Sequence, residues 1–535
     1  MGVAEPPADQ ASTEARPQAE ALRQVRDFER THELRRRQLP RSILVGLIVG
    51  LVAVAFRQSL LEAEKLRHML VAFAWEHPWW APALPVLLGA CGAAIAVHLV
   101  RRVAPEAAGS GIPHVKGVLH GARSMRKRVL PVKFFGGIAG IGGGLVMGRE
   151  GPTIQMGAAV GHMVGGWITT TPREKRTLIA AGAGAGLAAA FNAPLAGLVF
   201  VLEELQRDFS PGVFTATLIA AAVADVTTRL LLGQLPVFHV VAHSIPPLVV
   251  IPAALLLGVI AALAGIAFNR ALVRSLDLFA RITWKPWAVG AAVGAAVASV
   301  GLFAPEVLGG GDRLVERILS GSMTLTALAG LFVIRFVLTM VSYGSGAPGG
   351  IFAPLLMLGA ALGLAVGQVY AAIFPGVFEQ PESFAVVGMA AYFSAVVRAP
   401  LTGVVLMVEM TGDYSLVLPL LAASLSAYGV ADYLKDRPIY EALLQRDMMR
   451  GQEPVPLGGT LLLEMVVSPG SRYDGACAGD LDLPPGCILI LRRRGLSEDV
   501  PVADTRLNAG DTITVVVAAE AADAVPALRR GAGLL

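Results

Sequence analysis

Charge is scarce in this chain: Asp, Glu, Lys and Arg together make up 16% of its 535 residues, against 54% hydrophobic, and mean hydropathy is +0.62. So little polar surface excludes an ordinary soluble globule of this length. Cysteine is nearly missing. Cys91, Cys477 and Cys487 stand at no disulfide or metal spacing, so neither a disulfide framework nor a thiolate metal centre is expected. No HExxH metal motif occurs, and the glycine-rich "GGIAGIGGG" fits neither the dinucleotide nor the P-loop spacing. No cofactor is therefore expected. The net charge of +4 gives no reason to expect nucleic acid as a partner. The first 41 residues, rich in Arg, Glu and Gln, lack the apolar core of a secretory signal.

Long apolar runs are what the chain has instead. They recur at Ile43–Phe56, Leu84–Val100, Phe134–Met147, Leu178–Leu202, Ile245–Phe268, Ala288–Phe303, Leu355–Phe374 and Leu416–Val430. Several reach bilayer length, at about 20 residues per span, and others are too short or are cut by Gly, Pro or a charge. The pattern predicts an all-α polytopic membrane protein in which some helices enter the bilayer without crossing it. Arg35, Arg36, Arg37 and Arg41 precede the first run, so the positive-inside rule puts the N-terminus in the cytoplasm. From about Asp447 the composition turns soluble. "LLLEMVV", "CILILRRR" and "NAGDTITVVV" read as strands and "AEAADAVPALRR" as a short helix, together a small α+β module. The expected divisions are a polar segment 1–41, a membrane domain 42–447 and a C-terminal cytoplasmic domain 455–535.

An internal duplication organises the membrane domain. "GREGPTIQMGAAVGHMVG" from Gly148 matches "GIFAPLLMLGAALGLAVG" from Gly350 at a spacing of 202 residues, with Gly148, Pro152, Gly157, Ala158, Ala159, Gly161 and Gly165 all finding identical partners. "APLAGLVFVLE" from Ala193 matches "APLTGVVLMVE" from Ala399 at a spacing of 206. Glycine in helix packing is the plain alternative, but two blocks in one order at nearly one spacing point to repeat halves of roughly 42–235 and 245–435. Duplicated, interrupted helices are the grammar of transporters with a site at the repeat interface.

Gly148–Pro152 and Gly350–Pro354 each read as a helix start buried in the membrane: glycine permits close approach, and proline suits the first turn. Such a start offers unpaired N–H groups and roughly half a positive charge, an anion site. "GSGIP", Gly109–Pro113, has the same form, with Ser110 adding a hydroxyl. A partial charge also lets an ion leave again. Within this setting Glu150 is a tethered anion competing for its own helix start. Ionised it plugs the site; protonated it swings away, which makes it a gate and a proton carrier. The competing reading pairs it with Arg149, although neighbours within a helix do not face one another.

"GSGIP", "GREGP", "GGIFAP" and "AAAFNAPLAGLVFVLEE" together resemble the signature set of the CLC family of chloride channels and chloride/proton antiporters, over roughly residues 42–447. The resemblance implies an inverted repeat with broken helices, a homodimer and one anion pathway per subunit. It implies that Ser110 and Tyr440 line the inner part of that pathway, and that backbone amides at Glu150, Gly151, Ile351 and Phe352 hold the central ion. It further implies chloride as the ion and Glu204 as an inner proton-transfer acid, hence chloride/proton exchange across a bacterial-type plasma or inner membrane. A passive chloride channel of the same fold is the alternative. Taken singly, Ser110 could cap a helix, Tyr440 could be an interfacial aromatic, Glu204 a solvated helix-end acid near Arg207, and Glu203 with Glu409 a structural pair. The tail is similar to the TrkA C-terminal module through "GDLDLPPGCILILRRRG" and "DTRLNAGDTITVV", which implies a regulatory or dimerising role and a possible small ligand. It differs from paired CBS domains. An enzyme is not expected: a serine–histidine pair of Ser345 and His98 would be the starting point for one, and glycine packing explains that region better.

Overall fold

The computed structural model describes residues 8–168, 171–233, 248–375, 380–449, 461–495, 497–518, 521 and 524–534. They form two compact units, a large helical one ending at Arg446 and a small one from Asp447. The expected boundary between 447 and 455 falls largely on 450–460, outside the described residues.

The first half of the large unit comprises α1 (Ala8–Glu76), α2 (Ala83–Arg102), α3 (Ile112–Leu119), α4 (Val129–Gly142), α5 (Glu150–Trp167), α6 (Pro172–Phe191), α7 (Pro194–Phe200) and α8 (Pro211–Leu232). The second comprises α9 (Ile251–Phe279), α10 (Pro286–Phe303), α11 (Asp312–Leu319), α12 (Leu325–Gly344), α13 (Phe352–Ile373), α14 (Ser383–Val397), α15 (Pro400–Thr411) and α16 (Val417–Tyr433), followed by α17 (Ile439–Met449). The two halves correspond helix for helix, and their packing repeats: α5 on α6 as α13 on α14, α1 on α8 as α9 on α16. Among the described residues, seven helices are long and apolar enough to cross a membrane. Others, such as α4, α14 and α15, are apolar but too short.

Glycine sets the closest packing. A Cβ on Gly157 would collide with the Gly182 carbonyl, and one on Gly182 with the Gly157 carbonyl, so α5 and α6 touch backbone to backbone. The same contact recurs between Gly359 and Gly388. The packing role and the duplication are thus both real. The apolar run Leu178–Leu202 is not one helix: Asn192, in the left-handed conformation with φ 53°, separates α6 from α7. Arg398, at φ 69°, makes the matching break before α15.

The structure adds a third duplicated stretch. "APEAAGSGIPHVKGVL" from Ala104 and "APEVLGGGDRLVERIL" from Ala304 share their Pro-Glu turn and two glycines at a spacing of 200. Each loop is held by one buried cation. Lys133 Nζ on α4 donates to the carbonyls of Ala107 at 2.9 Å and Gly109 at 2.6 Å. Arg335 on α12 donates to the carbonyls of Val307, Gly309 and Gly310 at 2.7–2.9 Å. A buried cation that meets only carbonyl oxygens fixes a loop firmly, because losing those partners would leave it bare.

The small unit is a four-stranded antiparallel sheet, β1 (Leu461–Val466), β2 (Cys487–Arg494), β3 (Ser497–Asp499) and β4 (Thr512–Val517), in the order β1-β4-β2-β3. β4 is central, with Leu463 and Leu489 both opposite Val515. Ile513, Val515, Val517, Val467 and Leu507 form its core with α18 (Val525–Gly531). The third strand, "SED", has no apolar pattern and was not foreseeable. Part of the expected closing helix lies outside the described residues.

Asp511, at the start of β4, accepts two bonds of 2.7 Å from the Arg494 guanidinium and one from the Asn508 amide. The Arg494 guanidinium holds its carboxyl below the usual carboxylate range. A depressed native pKa gives stability that is present above the unfolded value and lost as pH falls through the native one. We therefore expect the protection of β4 amides, measured against the intrinsic exchange rate at each pH, to be high at neutral pH and to fall below about pH 4. The Asp511→Asn variant should exchange fast at both, as read by hydrogen–deuterium exchange with mass spectrometry.

Candidate functional site

The three glycine motifs meet. Gly148 and Gly350 exchange backbone bonds, N to O at 2.7 and 2.8 Å, so the residues leading into α5 and α13 form a two-residue antiparallel bridge. Gly109 adds to the same segment, donating to Ala347 O at 3.1 Å and accepting from Gly349 N at 3.0 Å. α5 begins at Glu150 and α13 at Phe352, immediately beyond the bridge. Two helix N-termini, one from each half, therefore open at one place deep in the protein, and their first-turn N–H groups have no helical partners. Phe352 is held there by rings on three elements, with centroids 4.6 Å from Phe393, 5.2 Å from Phe191 and 6.4 Å from Phe200.

Ser110 lies against this junction. A Cβ on Gly151 would sit 2.5 Å from Ser110 Oγ and 3.1 Å from Gly350 Cα, so only glycine fits between the motifs. Ser110 is fully buried and is not a helix cap, since α3 starts from Gly111 at φ 83° with no side-chain cap. Its amide donates to the Tyr343 hydroxyl at 3.3 Å. Tyr440 is fully buried as well, which removes the interfacial reading, and its hydroxyl lies beside the Ser110 side chain.

Around this junction Ser110 Oγ, Tyr440 Oη and Glu150 Oε2 are buried without a hydrogen-bond partner in good geometry among the described residues, and so is Glu204 Oε2 at the second acidic position. Polar atoms left open by separate elements at one pair of helix starts suit a small ion or polar ligand. The Glu150 side chain folds back over the gap between the two starts: a Cβ on Gly148 would sit 2.2 Å from its Oε2 and 3.0 Å from the Ala353 amide nitrogen. Beside it a cavity of about 80 Å³ is lined by Arg149, Glu150, Asp312, Glu64 and Arg67. Arg149 precedes the first helical residue, and from there its Nε does reach within 3.9 Å of Glu150 Oε1. Its firmer partner is Asp312 at 3.4 Å, from the newly recognised second-half loop.

Comparison with known proteins decides the family. A profile described as voltage gated chloride channel matches residues 91–432. The chain belongs to this family. A second profile, TrkA-C domain, matches residues 462–528. The H(+)/Cl(-) exchange transporter ClcA of Vibrio cholerae is 41% identical over 420 residues, covering 76% of this chain and 89% of that protein. ClcA of Salmonella paratyphi B is 39% identical over 415 residues, covering 76% and 88%. Among solved structures, a slow cyanobacterial Cl-/H+ antiporter superposes with TM-score 0.76 at 36% identity, covering 78% of this chain and 99% of that one. A eukaryotic CLC transporter superposes with TM-score 0.67 at 23% identity, covering 83% and 78%, which shows a shared fold. This is a multi-pass integral membrane protein of the CLC fold.

Within this CLC fold the second acidic position is more elaborate than its sequence suggests. Val201–Gln206 form a π-helical turn, closed by Arg207 in the left-handed conformation at φ 56°. Such turns are uncommon and favour functional places. This one sends two adjacent acids in different directions. Glu203 caps α15, accepting from Leu401 N at 3.0 Å and from Thr402 N and Oγ1 at 2.7 Å. Glu409 returns the contact, accepting from Leu195 N at 3.0 Å and Ala196 N at 2.7 Å at the start of α7. The structural reading of that pair is the observed one. Glu204 instead is fully buried, with Oε1 2.8 Å from Lys116 Nζ and Oε2 3.8 Å from Arg207. Lys116 and Glu441 were missed in the sequence; Lys116 is the lone charge on apolar α3, which was the available signal. Ser345 Oγ donates to Ser342 O while His98 is exposed on α2, so they do not form a nucleophile–base pair.

The reciprocal caps make a paired prediction. Glu203→Ala and Glu409→Ala should each destabilise the protein by about 1–2 kcal/mol, through lost caps and helix-dipole contacts. Thermal unfolding in detergent checks this; unchanged midpoints would show the caps to be dispensable.

Proposed function

We propose that this protein exchanges chloride for protons across the membrane, with Glu150 as gate and proton carrier and Glu204 as the inner proton station. The observation that carries the reading is the junction of the α5 and α13 N-termini, where the Glu150 carboxylate occupies a place built from amide donors. The amides of Glu150, Gly151, Ile351 and Phe352 suit an anion without fixing a full cation beside it. Ser110 and Tyr440 supply two hydroxyl donors on the inner side of the same place. A chloride ion and the ionised Glu150 carboxylate want the same donors, so the two exclude each other. Protonation removes the competing charge, frees the side chain and admits the ion. Each proton taken up by Glu150 is thereby linked to anion movement, and the relatives named as exchangers support that linkage.

The same reading places both termini in the cytoplasm, from the arginines before the first span, and assembles two copies into a homodimer with separate pathways. Residues 42–447 would carry transport, and the 455–535 module would regulate or dimerise it, with a small molecule as its ligand; its sheet presents β1 and β3 as free edges within the described residues.

Purified protein in vesicles tests the exchange directly. An imposed chloride gradient should drive protons uphill in the wild type. Glu150→Gln should abolish proton movement while chloride flux persists. A wild type that passes chloride but moves no protons would be a passive channel and would overturn the proposal.

A further inference from the structure

Glu204 has a problem of supply. Its side chain is wholly buried, so no proton reaches it straight from water. The neighbouring acid, Glu203, has both oxygens engaged by α15. A second carboxylate does stand close by. Lys116 Nζ lies 2.8 Å from Glu204 Oε1 and 3.4 Å from Glu441 Oε1, so one ammonium group bridges the two acids. Glu441 opens α17 and its side chain is 35% exposed, enough to meet water. Arg207 closes the group, 2.6 Å from Glu441 Oε1 and 3.8 Å from Glu204 Oε2. His120, at the end of α3, contacts Leu205 O at 3.0 Å, and Tyr440 precedes Glu441 on α17. Two cations and two carboxylates thus face one another across α3, the π-helical turn and α17.

We propose that Glu441 is the solvent-facing proton entry for Glu204, with Lys116 as the relay between them. The step conserves atoms and charge. Water protonates Glu441. The Lys116 ammonium gives one proton to Glu204 Oε1 as the Glu441 acid gives one to Lys116 Nζ. The result is a neutral Glu204, an ammonium still charged and a Glu441 carboxylate ready to be protonated again. Arg207 keeps Glu441 beside the relay when it is ionised. The geometry also explains why a lysine is buried in α3: unpaired it would be costly there, and between two carboxylates it is satisfied. This inference rests on the exchange reading above and deepens its inner half.

The full-length protein in vesicles, under a chloride gradient with both fluxes recorded, provides the test. Glu441→Gln should lower proton flux by at least about tenfold, as loss of a proton-transfer group does. Chloride flux should persist, so the chloride-to-proton ratio rises, and Glu441→Asp should restore the wild-type ratio. A wild-type ratio in Glu441→Gln, with Glu204→Gln uncoupled in parallel, would overturn the relay and leave the exchange reading intact. Equal loss of both fluxes in Glu441→Gln would make Glu441 a structural residue and also overturn the relay. No uphill proton movement in the wild type would overturn the exchange reading itself.

Discussion

Two short backbone bonds between Gly148 and Gly350 hold the rest of the site in place. They tie the segment before α5 to the segment before α13, so each half of the duplicated chain delivers a helix N-terminus to the same buried place. A helix start in a membrane interior is expensive unless its N–H groups find acceptors. Two of them together form a donor-rich pocket that suits an anion. The other features follow from keeping that pair aligned. Gly151 is the only residue type that lets Ser110 approach, the ring cluster around Phe352 fixes the second start, and Lys133 and Arg335 clamp the loops beside it.

The duplication builds the cradle symmetrically and then departs from symmetry at the titratable groups. Glu150 corresponds to Phe352, Glu204 to Met410 and Ser110 to Gly310. The amide donors thus come from both halves, whereas the acids and the extra hydroxyl come from one. Under the proposed exchange, the charge that moves belongs to the first half. Glu203 and Glu409 remain symmetric because their task is symmetric: each caps the helix that carries the other. A symmetric acid that caps a helix beside an asymmetric acid paired with Lys116 is a physical distinction that two adjacent letters do not reveal.

Much of the fold was legible in the chain because the motifs are local. The Gly/Pro spacing that starts a helix and the 202-residue spacing between copies both survive in sequence, and the bridge at Gly148 and Gly350 lies on motif positions. What escaped depends on tertiary placement. Lys116 and Glu441 lie 325 residues apart and meet only because α3 and α17 flank one turn. The π-helical turn that separates Glu203 from Glu204 leaves no compositional trace. The third duplicated stretch was readable in principle, through "PEAAGSG" and "PEVLGGG", but the second copy has lost the serine and proline that made the first conspicuous. Arg149 reaches Glu150 because it precedes the helix, a boundary one residue finer than sequence patterns define.

The central claim is that chloride and the Glu150 carboxylate compete for backbone amides from both halves. Anomalous diffraction from bromide-soaked crystals of Glu150→Gln and of the wild type measures this most directly. The account predicts a bromide peak at the α5 and α13 helix starts in the variant, where the wild type places its carboxylate, and a second between Ser110 and Tyr440. A variant with no bromide at the two helix starts would contradict it.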